Sequence, residues 1–305
     1  MTILKNSAIG FGILIVLLTV GIWLFWEQLP LRLVWPYIAQ PAISMTGQVQ
    51  KHTIDGLEAG EQTFFVYLPS GYEAGEQRYK TLYHLHGAYV QESWAGYDCQ
   101  AVGAALEKAA AEGIIEPMIV VCLVDPDGDR MWSDSFDNQY LASTALTQDL
   151  IPYIDAHYHT ISERNGRALQ GFSMGGFGTV VNGFRSADLF SAIIIWDGAL
   201  HDWNTLSTNR QSIASKMFAS EAYFKEWSPY EVTKNAADVD LDVFMVVGEM
   251  NATRDFASRF RPHLEDTGKA FTYHDVACPH SIFCMMDELG EEAFSFLAAS
   301  FARQS

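Results

Sequence analysis

Beyond residue 60 the chain repeatedly gathers its apolar residues into short runs: QTFFVYL, KTLYHLH, MIVVCLV, GRALQG, FSAIIIW, LDVFMVV and AFTYHDV. Most of these runs are rich in β-branched and aromatic residues, and most are bounded by Gly, Pro, Asp or Asn, which is the pattern of strands. Between them, residues 100–112, 142–157, 175–185, 255–266 and 287–302 read as helices. Continuous apolar strands separated by helices predict an α/β fold, a mostly parallel sheet covered on both faces. One longer interruption, 201–237, is rich in Trp, Phe and Tyr and reads as a small helical cap inserted late in the chain.

The N-terminal pattern is different. Residues 8–26, AIGFGILIVLLTVGIWLFW, run for 19 positions without a charge. As a helix they would extend about 28 Å, close to the hydrocarbon thickness of a bilayer. We therefore expect a short tail (1–7), a transmembrane anchor (8–26), a Pro-containing linker or entry arm (27–55) and one large domain (56–305) with the cap inside it. A cleaved signal sequence is the alternative, although no convincing cleavage site follows the apolar run. Lys5 before the segment and Glu27 after it favour an extracytoplasmic domain, secreted if the segment is cleaved.

Composition narrows the function classes. With 37 acidic and 19 basic residues the formal charge is −18, a surface that repels phosphate backbones and argues against nucleic-acid binding. The four cysteines show no metal-binding spacing. Cys122, inside MIVVCLV, reads as a buried thiol, whereas the closeness of Cys278 and Cys284 allows a bridge without requiring one. The turn DPDGDR at 125–130 lacks the distal bidentate glutamate of a calcium loop and reads as solvent-exposed. No metal or organic cofactor is expected.

The candidate chemistry centres on RALQGFSMGGFGTV. Gly171-Phe172-Ser173-Met174-Gly175 is G-x-S-x-G, set where a strand ends and a helix begins. Such a turn holds the serine in a strained backbone and exposes its hydroxyl at a helix N-terminus, so the flanking positions must be small. A serine nucleophile needs a base, and His280 follows the last strand-like run and precedes the final helix. His274 reads as a strand side chain, His84 and His86 as structural, and His52, His157, His159, His201 and His263 as surface or cap residues. For a developing oxyanion the backbone amides of Met174 and Ala88 are expected, the latter in the loop that Gly87 opens. Gly87, Trp94 and Trp132 are expected to contact substrate, because MWSDSF follows the C-terminal end of a strand, where open α/β sheets bind ligands.

The segments FFVYLPSGY, YKTLYHLHG, LIPYIDAHYHT, RALQGFSMGGFGT and DLFSAIIIWDGAL, in that order, resemble the esterase D family of α/β-hydrolases. That family includes feruloyl esterases, S-formylglutathione hydrolases and mycolyltransferase antigens. The resemblance spans about residues 63–302 and implies an α/β-hydrolase fold with ester or thioester hydrolysis, or acyl transfer, through a Ser-His-acid triad. The acid departs from the family pattern: where an aspartate is expected after LDVFMVVG the chain has Asn251. Three carboxylates compete for the role, Asp197 first, then Asp255 and Glu249. The expected activity is a serine esterase acting on a small-molecule ester. An acyltransferase would use the same residues, and a non-catalytic binding protein on this scaffold is the reading from a different class.

Overall fold

The computed structural model describes residues 45–55 and 58–303. Eight strands form one sheet: β1 (Gln48–Ile54), β2 (Gln62–Leu68), β3 (Lys80–Leu85), β4 (Met118–Leu123), β5 (Arg167–Phe172), β6 (Ala192–Trp196), β7 (Asp242–Val247) and β8 (Thr272–Asp275). Their order is β1-β2-β4-β3-β5-β6-β7-β8. β1 pairs antiparallel with β2, and β2 with β4, while every pairing from β4 through β8 is parallel. β4, β5 and β6 are buried along their whole length, as strands covered on both faces must be.

The main helices are α1 (Glu92–Ala111), α2 (Ile151–His157), α3 (Met174–Arg185), α4 (Trp203–Asn209), α5 (Asn251–Asp266) and α6 (Ile282–Arg303). α1 and α6 pack against each other and on the sheet, and α3 packs on β3, β5 and β6. All seven strand-like runs are strands in the fold. β1 is an addition. It occupies the end of what the sequence presents as an entry arm, and it alternates exposed and half-buried residues along the sheet edge.

The cap region begins with α4, whose first turn is capped by the Asp202 carboxylate accepting the Thr205 N–H at 2.7 Å. Short helical turns follow, and Met217, Phe218, Phe224 and Trp227 from them are buried in the main core. The cap is thus built into the domain rather than laid over it.

Both cysteine pairs are disulfides. Cys278 bridges Cys284, and Cys122 is bonded to Cys99, which corrects the reading of Cys122 as a free buried thiol. The second bridge ties α1 to β4, two elements whose proximity only the folded sheet creates. The apolar segment 8–26 lies outside the described residues, and among the described residues no helix is long and apolar enough to cross a membrane.

Candidate active site

Ser173 sits between β5 and α3 with φ 57° and ψ −113°, a backbone that costs on the order of 1–3 kcal/mol for a residue with a side chain. The glycines around it answer to contact distances. A Cβ on Gly175 would lie 1.9 Å from the Leu85 carbonyl oxygen, and one on Gly171 would lie 2.2 Å from the Gly175 carbonyl oxygen. α3 can therefore start hard against the ends of β3 and β5 only without side chains there. The Ser173 N–H donates to the Trp196 carbonyl (3.0 Å), and its own carbonyl accepts from Ala199 (2.8 Å), which binds the turn to the end of β6.

From Ser173 a chain of hydrogen bonds runs inward. The hydroxyl donates to His280 Nε2 at 2.9 Å, and His280 Nδ1–H donates to Asp197 Oδ2 at 2.5 Å. Asp197 is fully buried, has φ 46° and accepts the Gly248 N–H on its other oxygen at 3.0 Å. The His280 ring lies 4.4 Å from that of Phe172. The loop carrying His280 is closed by the Cys278–Cys284 disulfide and is fastened to β7 where the Cys278 carbonyl accepts the Glu249 N–H at 2.8 Å. A Cβ on Gly248 would fall 2.8 Å from that carbonyl and 3.3 Å from Asp197 Oδ2. Only glycine lets the end of β6, the His280 loop and β7 converge there, a constraint that no sequence motif expresses.

Of the three carboxylates weighed, Asp197 is the one that meets His280. Asp255 has a side chain 77% exposed and lies 3.8 Å from Arg259, and Glu249 is exposed. Asn251 opens α5.

Gly87 lies against the serine, since a Cβ there would be 3.4 Å from Ser173 Cβ and 3.3 Å from the Phe172 ring. Ala88 is the next residue of that loop, and Met174 is the first residue of α3, where the amide has no intrahelical acceptor. His86 anchors this loop. Its Nδ1–H donates to the Gly87 carbonyl (2.8 Å), its Nε2 accepts the Asp125 N–H (2.9 Å), and burial lowers its pKa, keeping the ring neutral. His84 is likewise held neutral by burial, at about 3.

Two expectations need correction. Trp132 is only 1% exposed, and its Nε1–H donates to the His86 carbonyl at 3.1 Å. It is wedged against Gly178 of α3 and braces the loop after β3 from the interior, so it does not face a substrate. The turn at 125–130 is not a free surface turn either. Asp125 is buried, and its carboxylate accepts the N–H of Asp127 (3.1 Å) and of Arg130 (2.8 Å). Trp94 is half-buried, edge-on to Tyr97, which meets Phe283 in the first turn after the His280 loop. Phe136, at the end of MWSDSF on the loop that carries Trp132, is an exposed aromatic, as is Tyr89 on the loop after β3, which was not singled out in the sequence. A separate cavity of about 290 Å³, lined by Tyr67, Leu106, Glu107 and Met118, opens at the N-terminal end of the parallel strands, away from Ser173.

The family model described as "Putative esterase" matches residues 58–260. A curated relative, the endo-1,4-beta-xylanase/feruloyl esterase of Xylanibacter ruminicola, is 31% identical over 157 residues, 47% of this chain and 20% of the relative. The chain spans between 12% and 24% of the length of the curated relatives it matches first. Among solved structures, a ferulic acid esterase aligns over 85% of this chain and 100% of its own with a TM-score of 0.69 at 21% identity. An S-formylglutathione hydrolase from Agrobacterium tumefaciens aligns over 86% and 97% with a TM-score of 0.67 at 14% identity. These two likenesses establish the α/β-hydrolase fold. With the strand-turn-helix around Ser173 and a family model covering most of the described domain, the chain belongs to the "Putative esterase" family.

Proposed function

We propose that this protein hydrolyses carboxylic esters or thioesters through an acyl-serine intermediate, with Ser173 as nucleophile, His280 as base and Asp197 as the acid that orients it. The unbroken hydrogen-bond chain from Asp197 through His280 to the Ser173 hydroxyl carries the reading. In the first step His280 Nε2 takes the hydroxyl proton as Ser173 Oγ attacks the ester carbonyl. The amides of Ala88 and Met174 stabilise the negative oxygen of the tetrahedral intermediate. His280 returns the proton to the leaving alcohol or thiol, leaving the acyl group on Ser173. Water, deprotonated by His280, then releases the acid and restores the serine. An acceptor alcohol in place of water would give acyl transfer with the same groups. The buried Asp197 fixes the imidazole tautomer and stabilises the imidazolium formed in each half-reaction.

The two disulfides and the uncharged segment 8–26 support an assignment outside the cytoplasm, with that segment as membrane anchor. The reading is tested by hydrolysis of a p-nitrophenyl ester series, from acetate to long acyl chains, together with a feruloyl ester, by the full chain in detergent. Ser173→Ala should abolish turnover, and Asp197→Asn should lower kcat by about 10⁴-fold with the fold intact. Full activity in Asp197→Asn would reject that carboxylate, and no turnover by the folded parent would reject the hydrolase reading. Adding excess alcohol and measuring the transesterified product separates transfer from hydrolysis.

A further inference from the structure

The turn at 125–130 grips the oxyanion loop on both sides. Ahead of Gly87 and Ala88, the Asp125 N–H donates to His86 Nε2 at 2.9 Å; behind them, the Gly128 carbonyl accepts the Tyr89 N–H at 2.6 Å. A Cβ on Gly128 would lie 2.8 Å from Tyr89 Cα, so the two segments meet backbone against backbone. Tyr89 has φ 58°, a conformation that needs outside support in a residue with a side chain. Inside the turn, the Asp125 carboxylate accepts two backbone amides and lies 3.3 Å from Arg130 Nε. Outside it, Asp127 and Asp129 both hold Lys216 Nζ, at 2.8 and 2.6 Å.

Lys216 belongs to the cap, in the turn Ala214–Phe218, whose Met217 and Phe218 are fully buried and whose Met217 carbonyl accepts the Phe136 N–H at 2.9 Å. That turn is a fixed post. Lys216 and Arg130 also lie over the ring of Tyr140, at 4.4 and 4.7 Å from its centre. Without Lys216, two neighbouring carboxylates would face each other with only Arg130, near Asp127, between them and mutual repulsion.

We propose that Lys216 is a positioning residue: it pins the turn at 125–130 to the cap, and through that turn it sets the Ala88 amide against Ser173. The catalytic half of this inference rests on the reading of Ser173 as nucleophile. An oxyanion amide acts on charge that exists only in the transition state, so its displacement lowers kcat and leaves KM in place. Lys216 and its partners are part-exposed, which limits the effect to about three- to tenfold.

The test compares Lys216→Met with Lys216→Arg in the full chain, by amide hydrogen exchange and by ester turnover. In Lys216→Met we expect faster exchange in peptides covering 86–92 and unchanged exchange in β5, with kcat about three- to tenfold lower at constant KM. Lys216→Arg, which can still bridge both carboxylates, should restore both readouts. Unchanged exchange over 86–92, or a loosening spread evenly over the domain, would overturn the coupling, and faster exchange with unaltered kcat would overturn its catalytic role. Exchange is read without substrate. A parent chain that turned over no ester would therefore count against the nucleophile reading, while exchange still decided the coupling.

Discussion

Gly175 and Asp98 mark two kinds of constraint at the scale of single residues. At Gly175 the constraint is space: the Leu85 carbonyl occupies the volume a side chain would need, so the serine turn can form only with glycine there. At Asp98 the constraint is electrostatic. This carboxyl is buried in α1, and burial raises its pKa from the ordinary 3.8 to about 7. The unfolded chain gives up that proton above about pH 4, while the native state keeps it until about pH 7. Its contribution to stability is full below about pH 4 and is lost as pH rises through 7. Asp98→Asn should therefore gain thermal stability over the parent at pH 8 and gain less at pH 5. A Tm difference that does not change between the two pH values would contradict this account. The places of Ser173 and His280 were legible in the sequence because they depend on local position, a strand-helix junction and the loop before the last helix. Trp132 was not, because sequence position places it after a strand end but does not say which way the ring turns.

Among the elements, the loop that carries His280 shows how much precision a short segment needs. The Cys278–Cys284 bridge closes it, and the Glu249 N–H holds its first residue to the end of β7. Opening the bridge frees the histidine to drift without unfolding the sheet. Cys278→Ser with Cys284→Ser should lower kcat by about tenfold or more at little cost to Tm, because small misplacements of a reacting group are expensive. Cys99→Ser with Cys122→Ser should do the reverse, costing about 3 kcal/mol of stability while kcat holds. Paired measurements of kcat and Tm decide it, and equal losses of kcat in both variants would contradict it. The strands from β2 to β8 could be read from the sequence because most are continuous apolar runs. β1 could not, since QVQKHTI lies on a sheet edge, keeps its polar residues and becomes a strand only through its pairing with β2. The pairing of Cys99 with Cys122 was hidden for the same reason, as it joins a helix to a strand that only the sheet order brings together.

Across the whole molecule, Asp197, His280 and Ser173 arrive from three separate stretches of chain, and parallel strands deliver all of them to one end of the sheet. β5 ends just before Ser173, β6 ends just before Asp197, and the loop after β8 brings His280 between them. Because β6 and β7 are parallel neighbours in register, a carboxylate just after β6 reaches the histidine that one in the loop after β7 would also face. The central claim is that Ser173 becomes covalently acylated. Its most direct test is to treat the folded full chain with a fluorophosphonate and locate the adduct by peptide mass spectrometry. The account predicts one adduct, on the peptide containing Ser173, absent in Ser173→Ala and formed much more slowly in His280→Ala. No adduct on the folded chain, or an adduct on a different serine, would contradict it.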